Sequence, residues 1–235
     1  MRLKAWEELP DQLKTESVRP YYDALRKKKM AKQPASALKA PGFAAFFVLS
    51  AALLVVLSPV LLVLAICIKL DSPGTVFFRQ VRVTQYGREF RIFKFRTMVQ
   101  DAPKLGSAVT VKNDMRITRM GRLLRGCRLD ELPQLINILK GEMSFVGTRP
   151  EVPKYVSQYT PEMMATLLLP AGVTSEASIQ YKDEDRLLDG ASDPDKTYVE
   201  QVLPGKMAYN LQSLRDFSFW GEWKTMLHTV TAVLH

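Results

Sequence analysis

FAAFFVLSAALLVVLSPVLLVLAICI, residues 43–68, runs for 26 residues without a charge. As a straight helix it would extend about 39 Å at 1.5 Å per residue, enough to cross a hydrocarbon core of about 30 Å. It is too long and too far from the N-terminus for a signal peptide, and no small-residue cleavage site follows it. Such a segment belongs in a membrane. Two features set it apart from a simple spanning helix. Ser58-Pro59 falls in its interior, where proline removes a backbone donor and crowds the preceding turn. Both flanks, Arg26 to Lys39 and Arg79 to Arg96, are strongly basic, and the positive-inside tendency draws both to the cytoplasm. The expectation is a re-entrant helix over 43–68, broken at Ser58-Pro59, that enters and leaves by one face.

Upstream, residues 1–42 are polar, contain Pro10, Pro20, Pro34 and Pro41, and include the run Arg26-Lys27-Lys28-Lys29. They read as short helical pieces outside the core, a basic arm held at the membrane surface by anionic lipid headgroups, with a purely solvated arm as the plainer alternative. Downstream, residues 69–235 form the remaining domain. Thr75 to Met98 alternates aromatic or branched residues with basic ones on either side of Tyr86-Gly87, the pattern of a β-hairpin with a basic face. Residues 101–118 read as a loop and 119–128 as a short basic helix. Further helices are expected near 161–168, 194–202 and 206–233, with an acidic loop at 182–195. The fold class is α/β, with α+β open: a small hairpin surrounded by helices.

The net charge of +9 is uneven. Residues 1–40 carry +5, residues 69–128 carry +10, and residues 129–235 carry −6. The basic middle attracts phosphate in some form, whether nucleic acid, an anionic membrane or a phosphorylated substrate. Cys67 and Cys127 have no paired spacing, so neither a disulfide framework nor a zinc site is signalled. The two histidines, His228 and His235, lie in the tail, which leaves carboxylates as the reactive groups.

Asp130-Glu131 stand before Leu132-Pro133 and the periodic run Leu135, Ile136, Ile138, Leu139. With Asp130 as N-cap, Pro133 falls in the first helical turn and both carboxylates sit at a helix start that favours anions. The plain alternative is a cap and a first-turn charge. Arg119, Arg122, Arg125 and Arg128 precede the pair, and such a cluster suits either structural ion pairs or a diphosphate with a divalent metal. Without histidine, magnesium with oxygen ligands is the natural partner for phosphoryl chemistry.

In order along the chain, the apolar run with Ser58-Pro59, FRQ…FRIFKFRTM, RLDELPQLINILKGEMSFVG and Thr148-Arg149-Pro150 resemble the monotopic phosphoglycosyl transferases, or bacterial sugar transferases. The ordered set covers residues 43–150, with similarity reaching about Val233. The resemblance implies the same re-entrant helix, a bacterial inner-membrane location and a catalytic domain facing the cytoplasm. It implies a UDP-sugar donor and undecaprenyl phosphate as acceptor, with Asp130 as the nucleophile on the β-phosphate, a covalent phosphosugar intermediate and UMP release. Glu131 would bind Mg2+, and Lys94, Arg125 and Arg149 match basic positions near phosphate. It further implies the first membrane step of exopolysaccharide, capsule or glycoconjugate synthesis; from the short length, the expectation is that there is no room for the several extra transmembrane helices that larger relatives carry.

This chain departs from the family in two places. Thr148 replaces the first proline of a Pro-Arg-Pro motif, and PAGVTSEAS stands where many relatives read PGITG, with Gly172 and Thr174 kept, so no particular sugar carries over. The aromatics Phe217, Phe219, Trp220 and Trp223 suit either a membrane interface or a core. A nucleic-acid-binding protein would leave the Asp-Glu pair without a purpose and shows no recognisable module, so no nucleic-acid partner is expected. A non-catalytic membrane scaffold or regulator of polysaccharide assembly is the remaining alternative; intact Asp130, Glu131, Lys94 and Arg149 count against it.

Overall fold

A computed structural model describes residues 3–28, 41–102, 105, 109–110 and 114–234, and among these described residues the chain forms helices and two small sheets. Two single 3-10 turns, Trp6–Glu8 and Asp11–Leu13, lead into α1, Arg19–Lys27. These pieces are helical as expected but are not outside the core. Leu3, Leu9, Leu13, Val18, Tyr21, Tyr22 and Leu25 are buried against Ala165, Leu167, Leu168 and Leu214. Val18, Tyr21, Tyr22 and Leu25 recur at i, i+3, i+4 and i+7, an apolar stripe along α1, but one so short and so enclosed by prolines and charges that it does not say what it packs against. The part of the arm at 29–40 lies outside the described residues.

The apolar run forms α2, Pro41–Asp71, the one helix among the described residues long and apolar enough to cross a membrane. It runs without interruption through Ser58-Pro59, so the expected break is not an unwound segment. Pro59 removes one backbone donor from a continuing helix, and Ser58 Oγ donates to Val55 O at 2.7 Å. Both halves of α2 pack on the same domain. Phe46 joins Phe90, Ile92, Leu135, Ile138, Met143 and Phe145, whereas Leu64 and Ile68 join Phe95 and Leu124. Ser50, fully buried, donates to Leu135 O at 2.9 Å. The other side of the helix is bare: Val55, Val56, Leu62 and Leu70 are 63–82% exposed.

Strands β1, Phe77–Val83, and β2, Glu89–Phe95, form the expected antiparallel hairpin, in register from Phe77 opposite Phe95 to Val83 opposite Glu89. Its turn places Tyr86 and Gly87 in the left-handed region (φ 62° and 77°). Arg96, directly after β2, donates to the carbonyls of Ile68, Ser72, Pro73 and Thr75, tying the hairpin to the C-terminal end of α2, where a cation suits the helix dipole.

Thr118 Oγ1 accepts from Gly121 N and caps α3, Arg119–Gly126. A 3-10 turn, Leu129–Glu131, leads to α4, Gln134–Leu139, and then β3, Met143–Val146. Beyond α5, Pro153–Val156, the segment expected as a helix near 161–168 is a 3-10 turn, Met163–Leu168. It delivers β4, Ala171–Thr174, parallel to β3. The second sheet was not anticipated, because its strands are four residues each and pair across 24 intervening residues. Gly147 and Gly172 permit the approach: a Cβ on Gly172 would lie 2.2 Å from Gly147 N.

The acidic 182–195 region holds two short helices at its ends. After α6, Glu176–Gln180, come α7, Glu184–Leu187, and α8, Pro194–Thr197, which passes into a π turn, Tyr198–Val202. The helix expected over 206–233 is two helices, α9, Leu203–Arg215, and α10, Phe219–Leu234. Ser218 Oγ, accepting from Gly221 N, starts the second.

Candidate active site

The 3-10 turn that carries Asp130 and Glu131 is set by its neighbour. Arg128 takes a left-handed conformation (φ 55°) that few non-glycine residues adopt, and it turns the chain sharply out of α3. Asp130 is therefore not the N-cap of α4. Pro133 holds that position, and the amides of Glu131 and Leu132 already donate to Arg128 O and Leu129 O. The positive charge at this turn comes from side-chain cations rather than from the six-residue helix.

Three elements bring those cations in. Lys94 comes from β2, Arg149 from the loop after β3, and Arg125 from the last turn of α3. Lys94 Nζ donates to Glu131 Oε1 at 3.0 Å, Arg149 Nη1 to Glu131 Oε2 at 3.0 Å, and Arg149 Nη2 to Glu131 Oε1. Arg149 Nη1 also reaches Val173 O at 3.3 Å, anchoring the group to β4. Arg125 Nε donates to Thr97 Oγ1 at 3.1 Å. The structure thus brings Lys94, Arg125, Asp130, Glu131 and Arg149 to one cleft, which Arg128 also lines. Arg119 and Arg122 are exposed on α3 and take no part in the ion-pair group, although Arg122 lines the same cleft.

The pKa values of the two adjacent carboxylates are shifted in opposite directions. Burial pushes the Glu131 carboxyl upward, but Arg149 and Lys94 outweigh it and hold the group well below the usual carboxylate range. Asp130 is 7% exposed, and among the described residues no hydrogen bond reaches its carboxylate. Burial raises its pKa, the Glu131 charge adds to that, and the pull of Lys94, Arg125 and Arg149 does not offset them. The result is one carboxylate neutralised by two cations beside another with its oxygens free.

Among the described residues no three His, Cys, Asp or Glu side chains converge as a metal cage. Magnesium does not require one: it is commonly held by one or two carboxylates together with substrate phosphates. Glu131 is an oxygen donor of the kind that mode uses, with both its oxygens accepting from Lys94 and Arg149 in this structure.

The cleft is polar at the carboxylates and apolar where Leu53 and Leu57 of α2, Leu135, Phe145 and Val173 line it. A second buried group beside it was not foreseen. Glu151 Oε1 accepts from Tyr198 OH at 2.5 Å, Lys206 Nζ donates to Tyr198 OH and to Glu184 Oε2 at 2.9 Å each, and Arg82 lies 3.8 Å from Glu151. The only sequence signal is that Glu151 follows Arg149-Pro150; nothing around Lys206 marks it.

A family model described as bacterial sugar transferase matches residues 44–235. The chain is 36% identical over 180 residues to UDP-N-acetylgalactosamine-undecaprenyl-phosphate N-acetylgalactosaminephosphotransferase of Aeromonas hydrophila, covering 75% of this chain and 40% of that protein. It is 37% identical over 193 residues to UDP-glucose:undecaprenyl-phosphate glucose-1-phosphate transferase of Caulobacter vibrioides, covering 80% of this chain and 67% of that one. Over 97 residues it is 53% identical to an exopolysaccharide production protein of Rhizobium leguminosarum bv. phaseoli, covering 41% of this chain and 48% of the relative. The chain therefore spans well under half of the Aeromonas protein and about two thirds of the Caulobacter one. On a family match that takes in 44–235 of its 235 residues, the chain belongs to the bacterial sugar transferases.

Proposed function

We propose that this protein transfers a sugar phosphate from a UDP-sugar to undecaprenyl phosphate, with Asp130 as the nucleophile. The carrying observation is the contrast within the pair: Glu131 is held by Lys94 and Arg149, while the buried Asp130 carboxylate has no hydrogen bond among the described residues. An Asp130 oxygen attacks the β-phosphorus of the donor; the bond from that phosphorus to the bridging oxygen breaks, and UMP departs with the electron pair. A phosphate oxygen of the lipid then attacks the same phosphorus and returns the Asp130 carboxylate, leaving polyprenyl diphosphosugar. Division into two displacements is the gain from covalent catalysis. Arg125, Lys94 and Arg149 steady the phosphate charge. Glu131 would hold Mg2+, which when bound neutralises diphosphate charge.

The membrane reading goes with it. A helix that spans would carry its two ends to opposite sides of a hydrocarbon layer about 30 Å thick. In α2, Phe46 and Ile68 both pack on the one charged domain, and the opposite face is bare and apolar. This supports a helix that dips into the cytoplasmic leaflet of the inner membrane and returns, with the apolar end of the cleft beside it to admit the polyprenyl chain.

The test is UMP release from a panel of UDP-sugars by detergent-solubilised protein, with and without undecaprenyl phosphate, magnesium and EDTA. Acceptor-dependent UMP from one donor, stopped by EDTA and restored by magnesium, is expected. Silence across the panel from folded protein would favour the scaffold reading, and chelator-insensitive turnover would remove the metal.

A further inference from the structure

We propose that the N-terminal segment, which precedes the family match at residue 44, builds together with the start of α10 a docking surface for anionic lipid headgroups. The inference rests on the reading that the bare face of α2 lies in a bilayer.

The segment is fixed in place, so its charges have a defined position. Its buried side chains seat α1 against the Met163–Leu168 turn and Leu214 of α9. At the end of α1, Arg26, Lys27 and Lys28 are exposed. Lys28 Nζ donates to Arg215 O at 2.6 Å, which joins this cationic end to the last residue of α9. Arg215 is exposed as well, its guanidinium on Tyr21 OH at 2.8 Å and 3.6 Å from Glu162. Of the nearby acids, Asp23 is paired with Arg19 at 3.2 Å, whereas Asp216 accepts from the neutral Gln212 amide at 2.5 Å and keeps its charge, leaving the three cations at the end of α1 as the net positive group.

Five residues beyond Arg215, Trp220 opens α10 and is 79% exposed. Lys224 and Leu227 follow at i+4 and i+7 on that face, Leu227 67% exposed, with Val230 beside them at 58%. The inner side of α10 holds Trp223 and Met226 against Phe46 of α2, with the Trp223 and Phe46 rings 5.9 Å apart. The helix therefore lies directly against the membrane helix, with a Trp-Leu-Val ridge turned outward. Exposed apolar ridges of this kind mark an interaction surface, and tryptophan flanked by lysine and arginine is the composition of a membrane interface. The cluster at Arg26, Lys27, Lys28 and Arg215 makes anionic headgroups the complementary partner.

The full chain, reconstituted in nanodiscs of phosphatidylcholine with or without phosphatidylglycerol, is footprinted with a water-soluble amine-reactive reagent. Lys27, Lys28 and Lys224 should label several-fold more slowly when phosphatidylglycerol is present, while the exposed Lys154 and Lys196 label equally in both. Equal labelling of Lys27 and Lys28 in the two discs would overturn the proposal. Brominated acyl chains should quench tryptophan emission less in Trp220→Phe than in wild type; identical quenching would remove the ridge from the bilayer. Val56→Cys on the bare face of α2 separates the two readings. Its maleimide labelling in discs would sink the membrane reading itself, and its protection with equal lysine labelling would sink this inference alone.

Discussion

Arg149 and Glu131 meet along both carboxylate oxygens, and the same guanidinium reaches Val173 O at 3.3 Å, so one ion pair joins the turn before α4, the loop after β3 and strand β4. Glu131 is the anion that lets Lys94 and Arg149, each partly buried, sit side by side. Asp130, its neighbour in the chain, is left outside that arrangement.

Glu131→Gln leaves two cations facing a neutral amide. At pH 7 it should lower the unfolding free energy by about 2 kcal/mol, between the cost of breaking an exposed pair and that of breaking a buried one. Because the folded-state pKa of Glu131 lies below its unfolded value, its contribution is present above about pH 4.3 and is lost as pH falls through the folded value. Denaturant midpoints of the two proteins should therefore converge in acid; a gap that ignores pH would mean the pair is not ionic.

Asp130→Asn should act in the opposite sense on stability. Burial raises the Asp130 pKa, so the folded state holds the proton more tightly and ionisation costs stability as pH rises past about 3.9. The variant should be as stable as wild type or more so at pH 7 to 8, with no transfer activity. A large drop in melting temperature at pH 7 would show that the carboxylate is structural, and retained turnover would remove it as nucleophile.

Gly172→Ala would place a methyl group 2.2 Å from Gly147 N, against backbone that cannot move aside cheaply. The parallel pairing of β3 with β4 should open, costing about 2 kcal/mol, and the Val173 anchor of Arg149 should shift, reducing UMP release. Gly126→Ala, where nothing lies within 4 Å, serves as the control and should leave both measurements near wild type.

Deletion of residues 1–28 uncovers Ala165, Leu167, Leu168 and Leu214. The truncated protein should unfold at a clearly lower temperature in the same detergent or aggregate on purification. An unchanged melting temperature would return this segment to the status of a loose arm.

Single cysteines at Glu16 and Thr75, one on each side of α2, should both resist an impermeant thiol reagent added outside intact cells and both react after lysis. Labelling of one position alone in intact cells would establish a spanning helix.

The features legible along the chain were those set by local pattern. An uncharged run of 26 residues has one favourable environment whatever it packs against, alternation around Tyr86-Gly87 specifies a hairpin, and the Asp130-Glu131 pair stands out as carboxylates among arginines. What periodicity does not carry is the identity of the partner. That Leu3, Tyr22 and Leu25 belong to the core depends on a surface formed by Ala165 to Leu168 and Leu214, far away in sequence. That β3 pairs with β4, and that Glu151 meets Lys206, likewise depends on chain returns that four-residue strands and isolated charges do not announce. The division of labour at the site was decided in the same way. Asp130 and Glu131 share a motif and a turn, yet Lys94 and Arg149 arrive from two other elements and pair with only one of them. Electrostatic fate follows distance in space, and only the tertiary structure sets those distances.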